Sequence, residues 1–209
     1  MDETNAVGGI VTLLPVLMEV APDAMIVTEG GLIRFVNEQA ERMFGYGREE
    51  LLGKPIEVLV PQRFRQLHLE HRAGYQRDPK TRSMAADFQL FACRKNGSEL
   101  PVEVSLAPLR TQDGLLVSAA IRDVSQQRKA ETKFRALLEA APDAMVIVDQ
   151  QGRIALVNGQ TESLFGYKRS QLLGQPVEIL IPRSARQSHE KHRHQYQSNP
   201  RNRQMGSGR

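Results

Sequence analysis

The sequence predicts an α+β chain, an antiparallel sheet with short helices on one face, written once in full and once in part. Two observations predict it. The first is an internal repeat: Ala21-Pro22-Asp23-Ala24-Met25 returns as Ala141-Pro142-Asp143-Ala144-Met145, Val36-Asn37 as Val157-Asn158, Phe44-Gly45-Tyr46 as Phe165-Gly166-Tyr167, and Leu51-Leu52-Gly53 as Leu172-Leu173-Gly174. The offset of 120 to 121 residues is the size of a small domain and too long for a solenoid unit of roughly 20 to 50 residues. The second is the order of local signals inside one copy, which reads two strands, four helical pieces and three strands.

The elements follow in order. Ile10 to Val20 places Ile10, Leu13, Leu14, Leu17 and Met18 at helical spacing, a short amphipathic helix. Met25 to Thr28, the Gly30-Gly31 turn and Leu32 to Val36 read as a β-hairpin. Asn37 is a good N-cap, Glu38 and Glu41 suit the positive helix N-terminus, and Gly45 stops the helix. Arg48 to Leu52 is one more helical stretch, closed by Gly53 and Pro55. Pro61 opens the longest helix, to about Tyr75, and Asp78-Pro79 breaks it. Phe88 to Arg94 leads into the hairpin dipeptide Asn96-Gly97. Leu100 to Leu106 alternates with period two, and Leu115 to Arg122, apolar on both faces, reads as a central strand.

Ser125 to Ala140 is a polar helix with Phe134, Leu137 and Leu138 on one side, free of Gly and Pro and therefore a stiff rod. Arg209 falls opposite Phe88, so nothing answers Gln89 to Val124. The expected organisation is an amphipathic helix within residues 1–20, a complete module over 21–124, a helical linker over 125–140 and a truncated module over 141–209. Two strands alone are marginal in water, so the second module is expected to fold poorly unless it borrows an edge from a partner chain.

Composition excludes several classes. With 40% hydrophobic and 25% charged residues the chain is an ordinary soluble sequence. Ile10 to Val20 is too short to span a bilayer and lacks the flanks of a signal peptide. The single Cys93 forms no internal disulfide and no cysteine-cluster metal site, which places the chain in the cytosol. The net charge of +4 is concentrated late: Arg183 to Arg209 holds seven Arg or Lys and one acidic residue, Glu190. No helix-turn-helix, zinc finger or aromatic stacking platform accompanies it, so it reads as a solvated helix face and tail, and no nucleic-acid partner is expected. No Gly-rich nucleotide loop, Ser-His-Asp set or carboxylate pair offers catalysis, and His189-Glu190 resembles a phosphoacceptor only formally. No enzyme activity is expected.

These residues in this order resemble the PAS sensory domain family. The marks are Ala21-Pro22-Asp23-Ala24, Val36-Asn37, Phe44-Gly45-Tyr46 with Glu50-Leu51-Leu52-Gly53, Arg94-Lys95-Asn96-Gly97-Ser98 with Pro101-Val102-Glu103, and Ile121-Arg122-Asp123-Val124-Ser125 at the exit. The resemblance implies a five-stranded antiparallel sheet curved over short helices, with room for a small-molecule ligand. It makes Asp123 and Ser125 the junction that passes signal into a following helix. It also implies a bacterial signalling protein, such as a sensor histidine kinase or a diguanylate cyclase, whose output domain lies in a full-length relative, so the chain reads as a piece of a longer sensor. Dimerisation is expected through helices 10–20 and 125–140.

The five histidines lie in two short segments, His68 and His71, then His189, His192 and His194. Pro61-Gln62-Arg63-Phe64-Arg65-Gln66-Leu67-His68 is similar to the Pro-x-x-aromatic-Arg-x-x-His segment of haem-binding oxygen-sensor PAS domains. The resemblance makes His68 a candidate haem axial ligand, with His189 its counterpart after Pro182 and Arg186. The subgroup's tyrosine, second arginine and distal arginine fall at His71, Gly74 and Phe88 here. The residues themselves fix no cofactor. The reading set against haem is that His68 and His71 share a helix face and cap the pocket as partly exposed residues. A two-histidine zinc site lacks a carboxylate or thiolate at helical spacing. A photoactive flavin lacks its cysteine around Arg48 to Leu52.

Overall fold

A computed structural model of the chain describes residues 16–84, 89–111 and 114–198. Residues 10–15 of the expected first helix, Phe88 and the basic stretch after Ser198 lie outside them. The chain divides into two compact units, Met1–Lys129 and Ala130–Arg209.

In the first unit a helical turn over residues 16–19 precedes β1 (Ala24–Glu29) and β2 (Leu32–Val36). Then come α1 (Glu38–Phe44), α2 (Arg48–Leu51), two 3₁₀ turns (Ile56–Leu59 and Gln62–Phe64) and α3 (Arg65–Arg77). The unit closes with β3 (Arg82–Ser83), β4 (Leu90–Cys93), β5 (Glu99–Thr111) and β6 (Gly114–Asp123). The sheet is antiparallel in the order β2-β1-β6-β5, and β3 and β4 lie end to end on the free edge of β5. Six strands therefore make a sheet five positions wide.

Local chemistry accounts for the first half. Gly30 and Gly31 both take positive φ, 56° and 90°, which a two-residue hairpin turn of this hand requires. The inward residues of β1 and β6, Ala24, Ile26, Ala119 and Ile121, meet Ala40 and Phe44 of α1, Leu51 of α2 and Leu100 and Val102 of β5. A side chain as large as Phe44, fully buried, contributes about 1.5–3 kcal/mol.

The helix expected to run from Pro61 instead begins with a 3₁₀ turn, and its α-helical part spans Arg65–Arg77. Its attachment is unusual. Tyr75 is its one buried residue, and no residue of α3 joins the apolar cluster. Sequence patterning also missed β3. Two residues carry no periodicity, and the pair forms because Ser83 and Met84 meet the exposed edge of β5, with Met84 N–H donating to Val104 C=O over 2.8 Å.

The second unit repeats the first half. α4 (Ser125–Glu139) leads to β7 (Val146–Val148), β8 (Ile154–Val157), α5 (Gly159–Phe165), α6 (Arg169–Leu172), two 3₁₀ turns (Val177–Leu180 and Arg183–Ala185) and α7 (Arg186–Ser198). β7 and β8 form a two-stranded antiparallel sheet over a small cluster of Ile154, Val157 and Leu172. Phe165, the counterpart of Phe44, is 38% exposed, because no strand equivalent to β5 or β6 lies over it among the described residues. The three apolar residues expected on one side of α4 separate: Leu138 is buried while Phe134 and Leu137 face outward. Adjacent helical residues point about 100° apart, so Leu137 and Leu138 cannot share a narrow face.

One asparagine organises each unit. Asn37 is fully buried; its Oδ1 accepts the N–H of Met25 and of Ala40, over 2.9 and 3.0 Å. Its Nδ2 donates to the carbonyls of Met18 and Asp23, over 3.1 and 3.0 Å. It caps α1, holds β1 and grips the preceding helical turn at once. Asn158 repeats this on Met145, Thr161, Asp143 and Leu138. Asn37→Ala strips α1 of its cap and leaves the half-buried Met25 N–H without its side-chain acceptor, so the first unit is expected to lose about 2–4 kcal/mol. Denaturant unfolding checks this, and an unchanged midpoint would refute it.

Candidate functional site

His68 stands on the inner side of α3, four residues before Arg72 and seven before Tyr75, and these three are the residues of the helix that face the body. The wall they form is polar. His68 Nδ1 lies 3.0 Å from Oε1 of Glu57, whose side chain is 8% exposed. The Nε of Arg72 sits 3.0 Å from the same oxygen, and its Nη1 donates to the carbonyl of Gly30 over 2.5 Å. One carboxylate from the first 3₁₀ turn thus holds two side chains of α3, and Arg72 fastens the helix to the β1–β2 turn. A Cβ at residue 31 would fall 1.4 Å from Arg72 Nη1, so glycine there serves both the positive φ and the path of the arginine.

The second unit builds the same arrangement. His189 Nδ1 is 3.1 Å from Glu178 Oε1, Arg193 Nε donates to that oxygen over 3.2 Å, and Arg193 Nη1 donates to the carbonyl of Gln151 over 3.0 Å. Gly152 stands where Gly31 does, again with an arginine in the space of a Cβ. His71 and His192 are exposed and join neither cluster. The pairing of His68 with His71 on one face is therefore replaced by the pairing of His68 with Glu57. The residues that sequence reasoning missed are Glu57, Arg72, Glu178 and Arg193. The available signal was the repeat, since Pro55-Ile56-Glu57 and Pro176-Val177-Glu178 recur at the same offset as the histidines.

Burial pushes the Glu178 carboxyl up, but the hydrogen bonds from His189, from its own backbone and from Arg193 outweigh it, and the group sits below its ordinary value of 4.5. Among the described residues no group of three or more His, Cys, Asp or Glu side chains is placed to hold a metal ion.

The exit from the first unit is equally defined. Asp123 Oδ1 accepts the first N–H of α4, from Ser125, over 2.8 Å, and its Oδ2 accepts from Arg94 Nη2 over 3.3 Å. Arg94 Nε in turn donates to the carbonyl of Met43 on α1 over 2.9 Å. Beside it, Arg122 holds Asp23 with two hydrogen bonds, tying the end of β6 to the start of β1. Each unit also grips the helix that precedes it. Glu19 Oε1 accepts the N–H of Glu38 and the guanidinium of Arg48, and Glu139 accepts the N–H of Gly159 and the guanidinium of Arg169.

A family model described as PAS domain matches residues 22–126, and one described as PAS fold matches residues 132–207. The chain belongs to the PAS family. The oxygen sensor protein DosP of Escherichia coli is 26% identical over 183 residues, 86% of this chain and 23% of that protein. The sensor protein FixL of Bradyrhizobium diazoefficiens is 35% identical over 142 residues, 66% of this chain and 28% of that protein. The chain thus spans about a quarter of the length of these relatives. The solved RNA-binding light-oxygen-voltage receptor shares the fold, with a TM-score of 0.51 and 18% identity over 66% of this chain and 38% of that one. The chain is accordingly built of PAS sensory domains of the kind carried by signalling proteins. No helix among the described residues is long and apolar enough to cross a membrane.

The lowered carboxyl of Glu178 gives a pH dependence with a definite sign. A carboxylate that titrates lower folded than unfolded contributes its stability above the unfolded value and loses it as pH falls through the folded one. Protection of the α7 amides against hydrogen exchange, taken relative to the intrinsic rate at each pH, is expected to be flat above pH 4.5 and to fall below it. In Glu178→Gln the exchange is expected to be faster throughout and the acid step absent; an acid step of undiminished size would refute the assignment.

Proposed function

We propose that the chain is the sensory and dimerisation part of a larger bacterial signalling protein, in which occupancy of the space between α3 and the sheet moves α4. The observation that carries this reading is the Asp123 junction. A strand at the centre of the sheet runs into α4 across one capped residue, and the same carboxylate holds Arg94, which holds α1. A shift of α1 or of the sheet therefore reaches the first turn of α4 without a flexible joint. α3 is the element free to respond, since the Glu57–His68–Arg72 cluster fastens it where apolar packing does not. Residues 21–124 and 141–209 are taken as the two sensory domains and 125–140 as the connecting helix. Any kinase or cyclase output belongs to a full-length relative.

Dimerisation is proposed through the helix that ends at Val20 and through α4. Val16, Leu17 and Val20 on the first, and Phe134 and Leu137 on the second, all stand at least half exposed. Leu17→Glu together with Leu137→Glu is expected to convert a dimer to a monomer in sedimentation velocity; a variant that stays dimeric refutes these helices as the interface.

A second reading, a haem-based oxygen or redox sensor with His68 as axial ligand, is favoured by the Glu57 contact and by the similarity to an oxygen sensor protein. The donor set fits. A carboxylate at Nδ1 fixes the tautomer that leaves Nε2 as the ligating atom, the arrangement metal-bound histidines use. His189 on Glu178 offers the same set in the second unit. Bound haem iron would supply a reversible binding position for a diatomic gas. An absorption spectrum of the chain expressed with added haem is the test, beside His68→Ala and His189→Ala. A Soret band lost with His68→Ala and kept in His189→Ala is expected on this reading. A flat visible spectrum in the unmodified chain removes haem and leaves a pocket for another small molecule.

A further inference from the structure

We propose that the second unit carries, outside the interior of the domain, a binding groove for a small phosphate-bearing molecule. A groove of about 680 Å³, within the range of small-ligand sites, is lined by Arg153, Arg183, Arg186 and Arg193, with Glu178 and Glu190 opposite in charge. Glu178 is already engaged by Arg193 and His189, so it neutralises a charge the cluster already holds. Glu190 is the groove's carboxylate without a partner among the described residues. The guanidinium excess matches a phosphate monoester, which carries nearly two negative charges near neutral pH, better than a monocarboxylate.

Three of the arginines are positioned in advance by backbone carbonyls. Arg153 Nη1 donates to Gly174 over 2.9 Å, Arg186 Nε to Ile181 over 2.9 Å, and Arg193 Nη1 to Gln151 over 3.0 Å. Each keeps further N–H groups for a ligand, and a guanidinium already held in place gives up less freedom on binding. Arg183 has no hydrogen-bond or ion-pair partner among the described residues and offers its whole fork, a shape suited to two phosphate oxygens.

The repeat supplies an independent argument. The frame shared by both units, Glu57 with Arg65 and Arg72, recurs as Glu178 with Arg186 and Arg193. The exposed positions around that frame have diverged: Leu32, Gln62 and Leu69 of the first unit stand where the second has Arg153, Arg183 and Glu190. Holding α7 in place requires none of these three, because the first unit holds α3 without them. Two added guanidinium groups on one groove therefore need another explanation, and an anionic ligand gives it.

The test is a calorimetric titration of the full chain with pyrophosphate, beside succinate and a short DNA duplex. The variant replaces Arg153→Leu and Arg183→Gln, the residues the first unit carries at the matching positions, and Arg183→Gln alone serves if the double variant loses its circular dichroism. Saturable one-to-one binding of pyrophosphate is expected, weakened at least tenfold in the variant. Three results overturn the proposal: no saturable heat, equal affinity for succinate, or unchanged affinity in the variant. Binding of the duplex with pyrophosphate silent also overturns it and assigns the charge to nucleic acid.

Discussion

The buried asparagine that caps α1, or α5 in the second unit, is the constraint on which each unit depends. A side-chain amide out of water must place all its donors and acceptors. Asn37 does so by joining four backbone segments: the helical turn before the domain, the lead into β1, β1 itself and the first turn of α1. None of these contacts can move without leaving a buried polar group unpaired. The sheet, the helix and the preceding segment are consequently set in one frame, and Asn158 imposes the same frame on the second unit.

Against that rigid frame, α3 and α7 are held differently. Their inward faces carry histidine and arginine, and the grip is a shared carboxylate together with a backbone carbonyl of the hairpin turn. Partly exposed ion pairs contribute far less than apolar burial of the same extent. α3 and α7 are therefore attached chiefly by these charged contacts among the described residues. In the first unit, Asp123 and Arg94 also join β6, α1 and α4, through hydrogen bonds of 2.8 to 3.3 Å.

The two units show what half a sheet costs. Phe44 is sealed beneath the strands of the first unit and Phe165 is not, although α1 and α5 are equivalent helices with the same Asn and Gly caps. Local structure forms without counterparts of β5 and β6 among the described residues, because caps and glycine turns are satisfied within a few residues. The apolar cluster does not survive at full size, because its far wall comes from strands β4 to β6.

The division between what the residues announced and what the fold decided follows the range of each interaction. Asn37 and Gly45 as helix caps, Gly30-Gly31 as a turn, the alternation of Leu100 to Leu106 and the repeat itself could all be read from the sequence, because each acts on neighbours within a turn or a pleat. His68 was also visible, through the resemblance of the segment from Pro61 to His68 to that of haem-binding PAS domains. Its partner was not: Glu57 lies eleven residues earlier, across two 3₁₀ turns, and only the path of the chain brings the carboxylate to the ring. Arg94 reaches Asp123 across 29 residues, and Arg153, just before β8, and Arg183, at the start of the second 3₁₀ turn of that unit, line one groove only because the fold brings those two segments together. Caps, turns and strands were the sequence's own to determine; which charges meet was decided by tertiary packing, since side chains far apart in the chain have no local rule that pairs them.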